Sequence, residues 1–129
     1  MAPKKTILLA DDDPDYLFQV SFYLQKVGFR VLPAASQKEA EKILETEKPD
    51  LAIFDLIMEY EDSGFILSHK MKKRYPEVPV IIATSVAVET GIPFGLENED
   101  DRKWIKADGY LEKGIRPDQL LNEINKLLE

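Results

Sequence analysis

No cysteine occurs among the 129 residues, and histidine occurs once, at His69. The first absence excludes a disulfide framework, a thiolate nucleophile and a thiolate metal site, and the second leaves no histidine cluster for zinc. Any metal held by this chain must be bound through oxygen, and His69 reads as a solvated helix residue. Long apolar runs are missing too. The opening stretch MAPKKTILLADDD sets two lysines before a short apolar run that ends in three aspartates. That run is too short for the apolar region of a signal peptide and far too short to span a bilayer, so the expectation is a cytoplasmic location without membrane contact. Basic charge is in deficit: 17 Lys and Arg stand against 24 Asp and Glu, a formal net charge of -7. A chain of that sign repels nucleic-acid phosphates, and direct nucleic-acid binding is not expected.

What is present suits an α/β fold. With 44% apolar residues, residues 1–129 can form one domain with a core between a sheet and helices on both its faces. Short β-rich apolar runs recur at Thr6–Ala10, Arg30–Ala34, Leu51–Phe54, Val80–Ala83 and Gly109–Leu111. The central ones are nearly continuous, as strands buried on both faces should be. Between them, Tyr16, Val20, Tyr23, Leu24 and Val27 recur at helical spacing, as do Leu120, Leu121, Ile124, Leu127 and Leu128. Boundary signals agree. Asp13-Pro14 reads as N-cap and first helical residue, Gly28 as the stop, Ser36-Gln37-Lys38-Glu39 as a capping box and Pro117 as the start of the last helix. The order is that of five strand/helix pairs. Right-handed crossovers then give a doubly wound open parallel sheet, whose ligands sit outside the carboxyl ends of the strands. Glu89 to Asp101 is the long irregular stretch, and its acids favour a solvated loop.

The residues at the strand ends carry the chemistry. Asp11 and Asp12 follow the first strand, Asp55 the third and Thr84 the fourth, with Lys113 just beyond the fifth. Carboxylates brought to one rim repel unless a cation intervenes, and an oxygen-only donor set with few protein ligands suits Mg²⁺. Asp13 is better explained as the helix cap before Pro14, which leaves Asp11 and Asp12 for the ion. A carboxylate can attack phosphorus to give an acyl phosphate, with a metal and an ammonium neutralising the oxygens, so Asp55 is the candidate nucleophile and Lys113 the cation.

The set ILLADDDP, IFDLIM, IIATS and GYLEKG, in this order and each at a strand end, resembles the receiver domain of two-component response regulators (the CheY-like superfamily) over essentially the whole chain. The resemblance implies a (βα)5 sheet of flavodoxin-like strand order 2-1-3-4-5. It makes Asp55 the phosphoacceptor and gives Mg²⁺ the ligands Asp11, Asp12, Asp55 and the backbone carbonyl of Ile57. It sets Lys113 and Thr84 on the phosphoryl oxygens, and makes Thr84 and Tyr110 the switch. It implies a signalling domain that promotes its own phosphotransfer and dephosphorylation rather than a turnover enzyme. Its partners would be a sensor histidine kinase or phosphotransfer protein and a downstream protein, with a homodimer through the fourth and fifth helices as a further possibility. Ile57 and Val86 are apolar where polar side chains would orient attacking water, so the acyl phosphate is expected to persist.

The chain departs from the family pattern in three places. Gly114 follows Lys113 where the family usually has proline in a cis bond. A non-proline cis bond costs about 2.5–4 kcal/mol, so a trans bond, or a cis bond held by its surroundings, are the arrangements open here. Glu59 stands where the family commonly has proline, in a loop one residue longer; Glu59, Glu61 and Asp62 are read as solvated, the alternative being a carboxylate aimed at the metal. The path from Thr84 to Lys113 is also longer, with the excess near Gly91–Glu99, so a short fourth helix is expected from about Asn98, with Trp104 as a packing residue. Two other readings stay open: a degenerate receiver serving only as an interaction module, and an aspartate-nucleophile phosphatase of the haloacid dehalogenase type, suggested by Asp11 and Asp13. No DNA-binding or catalytic segment is expected with the last helix, and a stand-alone switch and a trimmed piece of a longer chain look alike at this level.

Overall fold

The short apolar runs become strands because their aliphatic and β-branched side chains fill both sides of a sheet. The computed structural model describes residues 4–60, 62–84 and 107–128. Within them lie β1 (Thr6–Ala10), β2 (Arg30–Ala34), β3 (Leu51–Asp55), β4 (Val80–Thr84) and β5 (Gly109–Glu112). All neighbours pair in parallel, in the order β2-β1-β3-β4-β5. This is the expected doubly wound arrangement. β1 and β2 have the bounds read from the sequence, while the other three strands each run one residue further, taking in Asp55, Thr84 and Glu112.

Alternation along the strands builds two cores. Ile7, Leu9, Ile53 and Ile81 enter one, and Leu8, Ala10, Phe54 and Ile82 enter the other. Every residue of β3 and β4 is buried. Each fully buried aliphatic side chain contributes about 1.5–3 kcal/mol, so the central strands are firm supports for whatever hangs on their ends.

Four helices are found among the described residues: α1 (Pro14–Lys26), α2 (Gln37–Thr46), α3 (Ser63–Arg74) and α4 (Pro117–Leu128). Leu24 of α1 with Leu120 and Ile124 of α4 covers the first core. Ala40 and Leu44 of α2 with Phe65, Leu67 and Met71 of α3 covers the second. The caps are those expected. Asp13 accepts the amides of Asp15 and Tyr16, the Ser36 hydroxyl accepts that of Glu39, and Gly28, at φ 110°, ends α1 in a conformation that other residues resist.

The stripe assigned to α1 needs correction at both ends. Val20, Tyr23 and Leu24 pack on the core together with Leu17, but Val27 is exposed at the helix end and Tyr16 lies at the sheet rim. The short helix from Asn98, with Val86, Trp104, Glu61 and the Glu89 to Asp101 loop, falls outside the described residues. Among the described residues β2 is an edge strand bonded to β1 alone, and Pro33 sits in it.

Candidate functional site

Register brings the acids together. Ala10 of β1 pairs with Phe54 of β3, so the residues that follow, Asp11 and Asp55, stand side by side at the carboxyl end of the sheet. Both are buried, 1% and 6% exposed, whereas Asp12 lies open to solvent. Carboxylate oxygens of Asp11, Asp12 and Asp55 all fall within 4.8 Å of one another. The next two strands complete the rim. Asp55 pairs with Ala83, Thr84 pairs with Glu112, and the amide of Lys113 donates to the Thr84 carbonyl at 2.9 Å.

Lys113 reaches back into this acid cluster. Its Nζ is 2.8 Å from Oδ2 of Asp11 and 3.7 Å from Oδ2 of Asp55, so the close ion pair at rest is with Asp11. The other Asp11 oxygen accepts the amide of Asp13 at 2.8 Å. No peptide bond among the described residues is cis, so Gly114 follows Lys113 through a trans bond.

Crowding of like charge in a partly desolvated place sets the titration. Burial, and next the Asp11 carboxylate, push the Asp55 carboxyl from its ordinary 3.8 up to about 7, with Lys113 opposing and Asp12 adding to the rise. For Lys113, burial acts to lower the pKa, but its bond to Asp11 and the charges of Asp55, Asp11 and Asp13 outweigh that and raise it. The three acids form a hard, oxygen-only donor set whose mutual repulsion a divalent cation would relieve, so the residues present fit Mg²⁺.

Thr84 is buried at the end of β4. The alternation that sends Ile82 into the core shared with α2 and α3 turns Thr84 to the same face. Tyr110 pairs with Ile82 and packs against that core. The two residues assigned to the switch therefore share one side of the sheet, while Asp11 and Asp55 follow Leu9 and Ile53 toward the other.

The loop after β3 is organised in a way the sequence did not reveal. Ile57 is exposed at the rim. Glu59 is exposed, as read, and is not turned toward the acids: Oε1 accepts the amide of Gln37 at 2.7 Å and Oε2 that of Lys38 at 3.0 Å, so it also ties down the start of α2. Asp62 is exposed and makes no side-chain cap bond to α3. Asp13 is occupied as the cap of α1. His69 is exposed on α3, as expected.

One rim residue was missed. The Lys113 ammonium lies over the ring of Tyr16, 4.6 Å from its centroid. Tyr16 is in the first turn of α1, the helix that leaves the rim directly after Asp11 and Asp12. That placement was the available signal, because a side chain in the first turn of such a helix points back over its N-terminus.

Over residues 7–125 the chain matches the family described as response regulator receiver domain. It is 31% identical over 127 residues to protein PilH of Pseudomonas aeruginosa, across 95% of this chain and 96% of that protein. It is 32% identical over 126 residues to the transcriptional regulatory protein GltR of the same organism, where it covers 96% of itself but spans only 49% of the relative. Among solved structures, a CheY-like response regulator receiver domain protein from Methanospirillum hungatei superposes with a TM-score of 0.83 at 30% identity, over 97% of this chain and 94% of that one.

Proposed function

Because this chain belongs to the response regulator receiver domain family, a family of signalling domains, we propose that its Asp55 accepts a phosphoryl group from a sensor histidine kinase or phosphotransfer protein, in a reaction that depends on Mg²⁺. The observation that carries this reading is the setting of Asp55: a buried carboxylate at a strand end, crowded by Asp11 and Asp12 and faced by the Lys113 ammonium. An Asp55 oxygen attacks phosphorus, and the O–P bond forms as the N–P bond to the donor imidazole breaks. The imidazole keeps the bonding pair and takes a proton from solvent. Asp11, Asp12, Asp55 and the Ile57 carbonyl would hold Mg²⁺, which supplies positive charge beside the phosphoryl oxygens. Lys113 exchanges its contact with Asp11 for those oxygens, and Thr84 moves to meet them with Tyr110 following.

The modified residue gains roughly -1.5 to -2 charges. A switch of this kind shifts partner affinity by a coupling of about 1–3 kcal/mol. On its outer face α1 turns Phe18 and Phe22 to solvent as a stacked pair, 6.3 Å between centroids, the kind of apolar surface that partners bury. We place residues 1–129 in one receiver domain acting in the cytoplasm, with a downstream protein as its target and homodimerisation as a further mode. None of the described helices is long and apolar enough to cross a membrane. Asp13's use as a helix cap weighs against the phosphatase reading, which needs it as a second catalytic acid.

Incubation with acetyl phosphate and Mg²⁺ followed by intact-mass spectrometry tests this. The expected result is a gain of one phosphoryl group that disappears in Asp55→Asn and when EDTA replaces Mg²⁺. Labelling that survives Asp55→Asn would favour the phosphatase reading, and no labelling at all the interaction module.

A further inference from the structure

We propose that Tyr16 is a positioning residue for Lys113, its ring forming the platform on which the ammonium is held while it passes from Asp11 to the phosphoryl group. This rests on the phosphoacceptor reading of Asp55.

Lysine is a flexible point charge on a four-carbon stem, and something must order it if it is to act at one place. Here its successor is Gly114, where a Cβ would meet nothing within 4 Å, so the chain just after Lys113 gives it no packed support. The side chain is nevertheless largely enclosed, 14% exposed. Four contacts hold it among the described residues. Its amide is bonded to the Thr84 carbonyl, and its ammonium pairs closely with Asp11, lies 3.7 Å from Asp55, and rests over Tyr16 at 4.6 Å, inside the range of about 6 Å in which a ring face attracts a cation.

Of these, the ring is the contact that touches the ammonium itself and that phosphorylation of Asp55 leaves chemically unchanged. The backbone bond fixes the start of the side chain and not its end. The Asp11 pair must loosen when the ammonium engages the phosphoryl oxygens, since at rest Asp11 is at 2.8 Å and Asp55 at 3.7 Å. Attraction to a ring face is broad, so the ammonium can slide between anionic partners without leaving it. Tyr16 is itself set in place by the cap of α1, its amide donating to Asp13 at 3.4 Å. Burial, then the charges of Asp11 and Asp55, push its phenol up to about 12, so the ring stays neutral and does not become a competing anion.

The test combines Tyr16→Phe and Tyr16→Leu with Lys113→Met, and reads two quantities. The first is the NMR shift of the Lys113 ε-methylene in metal-free protein, which a ring at this distance moves upfield. The second is the rate of Asp55 phosphorylation by acetyl phosphate with Mg²⁺. The upfield shift is expected in wild type and Tyr16→Phe and lost in Tyr16→Leu. The rate should fall by roughly three- to thirtyfold in Tyr16→Leu, the span of a cation–ring contact, be restored by Tyr16→Phe, and show no further fall when Tyr16→Leu is added to Lys113→Met. Three results overturn the proposal: a Tyr16→Leu rate equal to wild type, a Tyr16→Phe rate as low as that of Tyr16→Leu, or an equal loss from Tyr16→Leu in the Lys113→Met background. Wild-type protein that takes up no phosphoryl group removes the phosphoacceptor reading and this one with it. Failure of the Tyr16 arms alone removes only this one.

Discussion

Gly64 passes so close to Asp55 that a Cβ built on it would lie 2.6 Å from the Asp55 carbonyl oxygen. The Gly64 amide also donates to the Leu56 carbonyl at 2.9 Å, tying the start of α3 to the chain that leaves β3. In an unconstrained helix, Gly→Ala stabilises by about 1 kcal/mol. At Gly64 the sign should reverse. Gly64→Ala is expected to cost about 1–3 kcal/mol in denaturant unfolding, because backbone and not a movable side chain must yield. A stabilised variant would show that the two segments are not in contact.

Asp55 makes metal-free stability depend on pH in a direction opposite to that of most carboxylates. Its folded pKa is raised from 3.8 to about 7, so in that window the native state keeps a proton that the unfolded state has released. Its contribution is full below 3.8 and is lost as pH rises through about 7. Asp55→Asn should flatten this slope and raise the metal-free melting temperature at pH 8. It should also abolish or sharply reduce the stabilisation that Mg²⁺ gives the wild type. Thermal unfolding at pH 5 and pH 8, with Mg²⁺ or EDTA, reads all three effects.

Glu59 behaves in the ordinary sense. Burial acts to raise its pKa, but the amides of Gln37 and Lys38 outweigh that and bring it below 4.5. Its contribution is present above pH 4.5 and lost as pH falls through the depressed value. Glu59→Ala should remove two bonds to the first amides of α2 while leaving the Ser36 cap, at a cost of about 1 kcal/mol. Glu59→Gln should lose only a few tenths, since an exposed carboxylate at a helix start is screened by solvent. Melting temperatures at pH 7 and pH 4 should converge in both variants relative to wild type.

The exposed Ile57 side chain offers no polar group to orient water at the rim. The phosphorylated protein should therefore lose its label slowly after the donor is removed, and Ile57→Asn should lose it faster, as followed by intact mass over time. Equal lifetimes would mean that this position does not govern access of water.

Most of the scaffold was legible because the signals are local. Aspartates, Gly28 and capping residues bracket β1, α1 and β2, and these bounds match the sequence reading. β3, β4 and β5 each ran one residue longer for a common reason: a polar side chain at a strand end marks chemistry but does not stop the backbone from pairing, as Asp55 with Ala83 and Thr84 with Glu112 show. The acid cluster was legible because register between neighbouring parallel strands places their successors together. Tyr16 was misplaced because helical periodicity reports the angle of a side chain and not whether the turn beneath it faces core or rim. Glu59 was unreadable, since its partners Gln37 and Lys38 lie 22 and 21 residues away and belong to a different element.

Pro33 has a consequence for how this protein meets its own kind. Arg30 donates to Lys5 and Ala34 accepts from Asp11, so by alternation Arg30, Leu32 and Ala34 turn their peptide groups inward, and Val31 and Pro33 turn theirs to the open side of β2. Proline has no amide hydrogen, which leaves Val31 as the donor on that margin. A foreign strand arriving there finds no continuous ladder to copy, so growth of the sheet from molecule to molecule, the first step toward fibrils, is blocked on this side. What this edge offers to another molecule is therefore side chains rather than a backbone ladder.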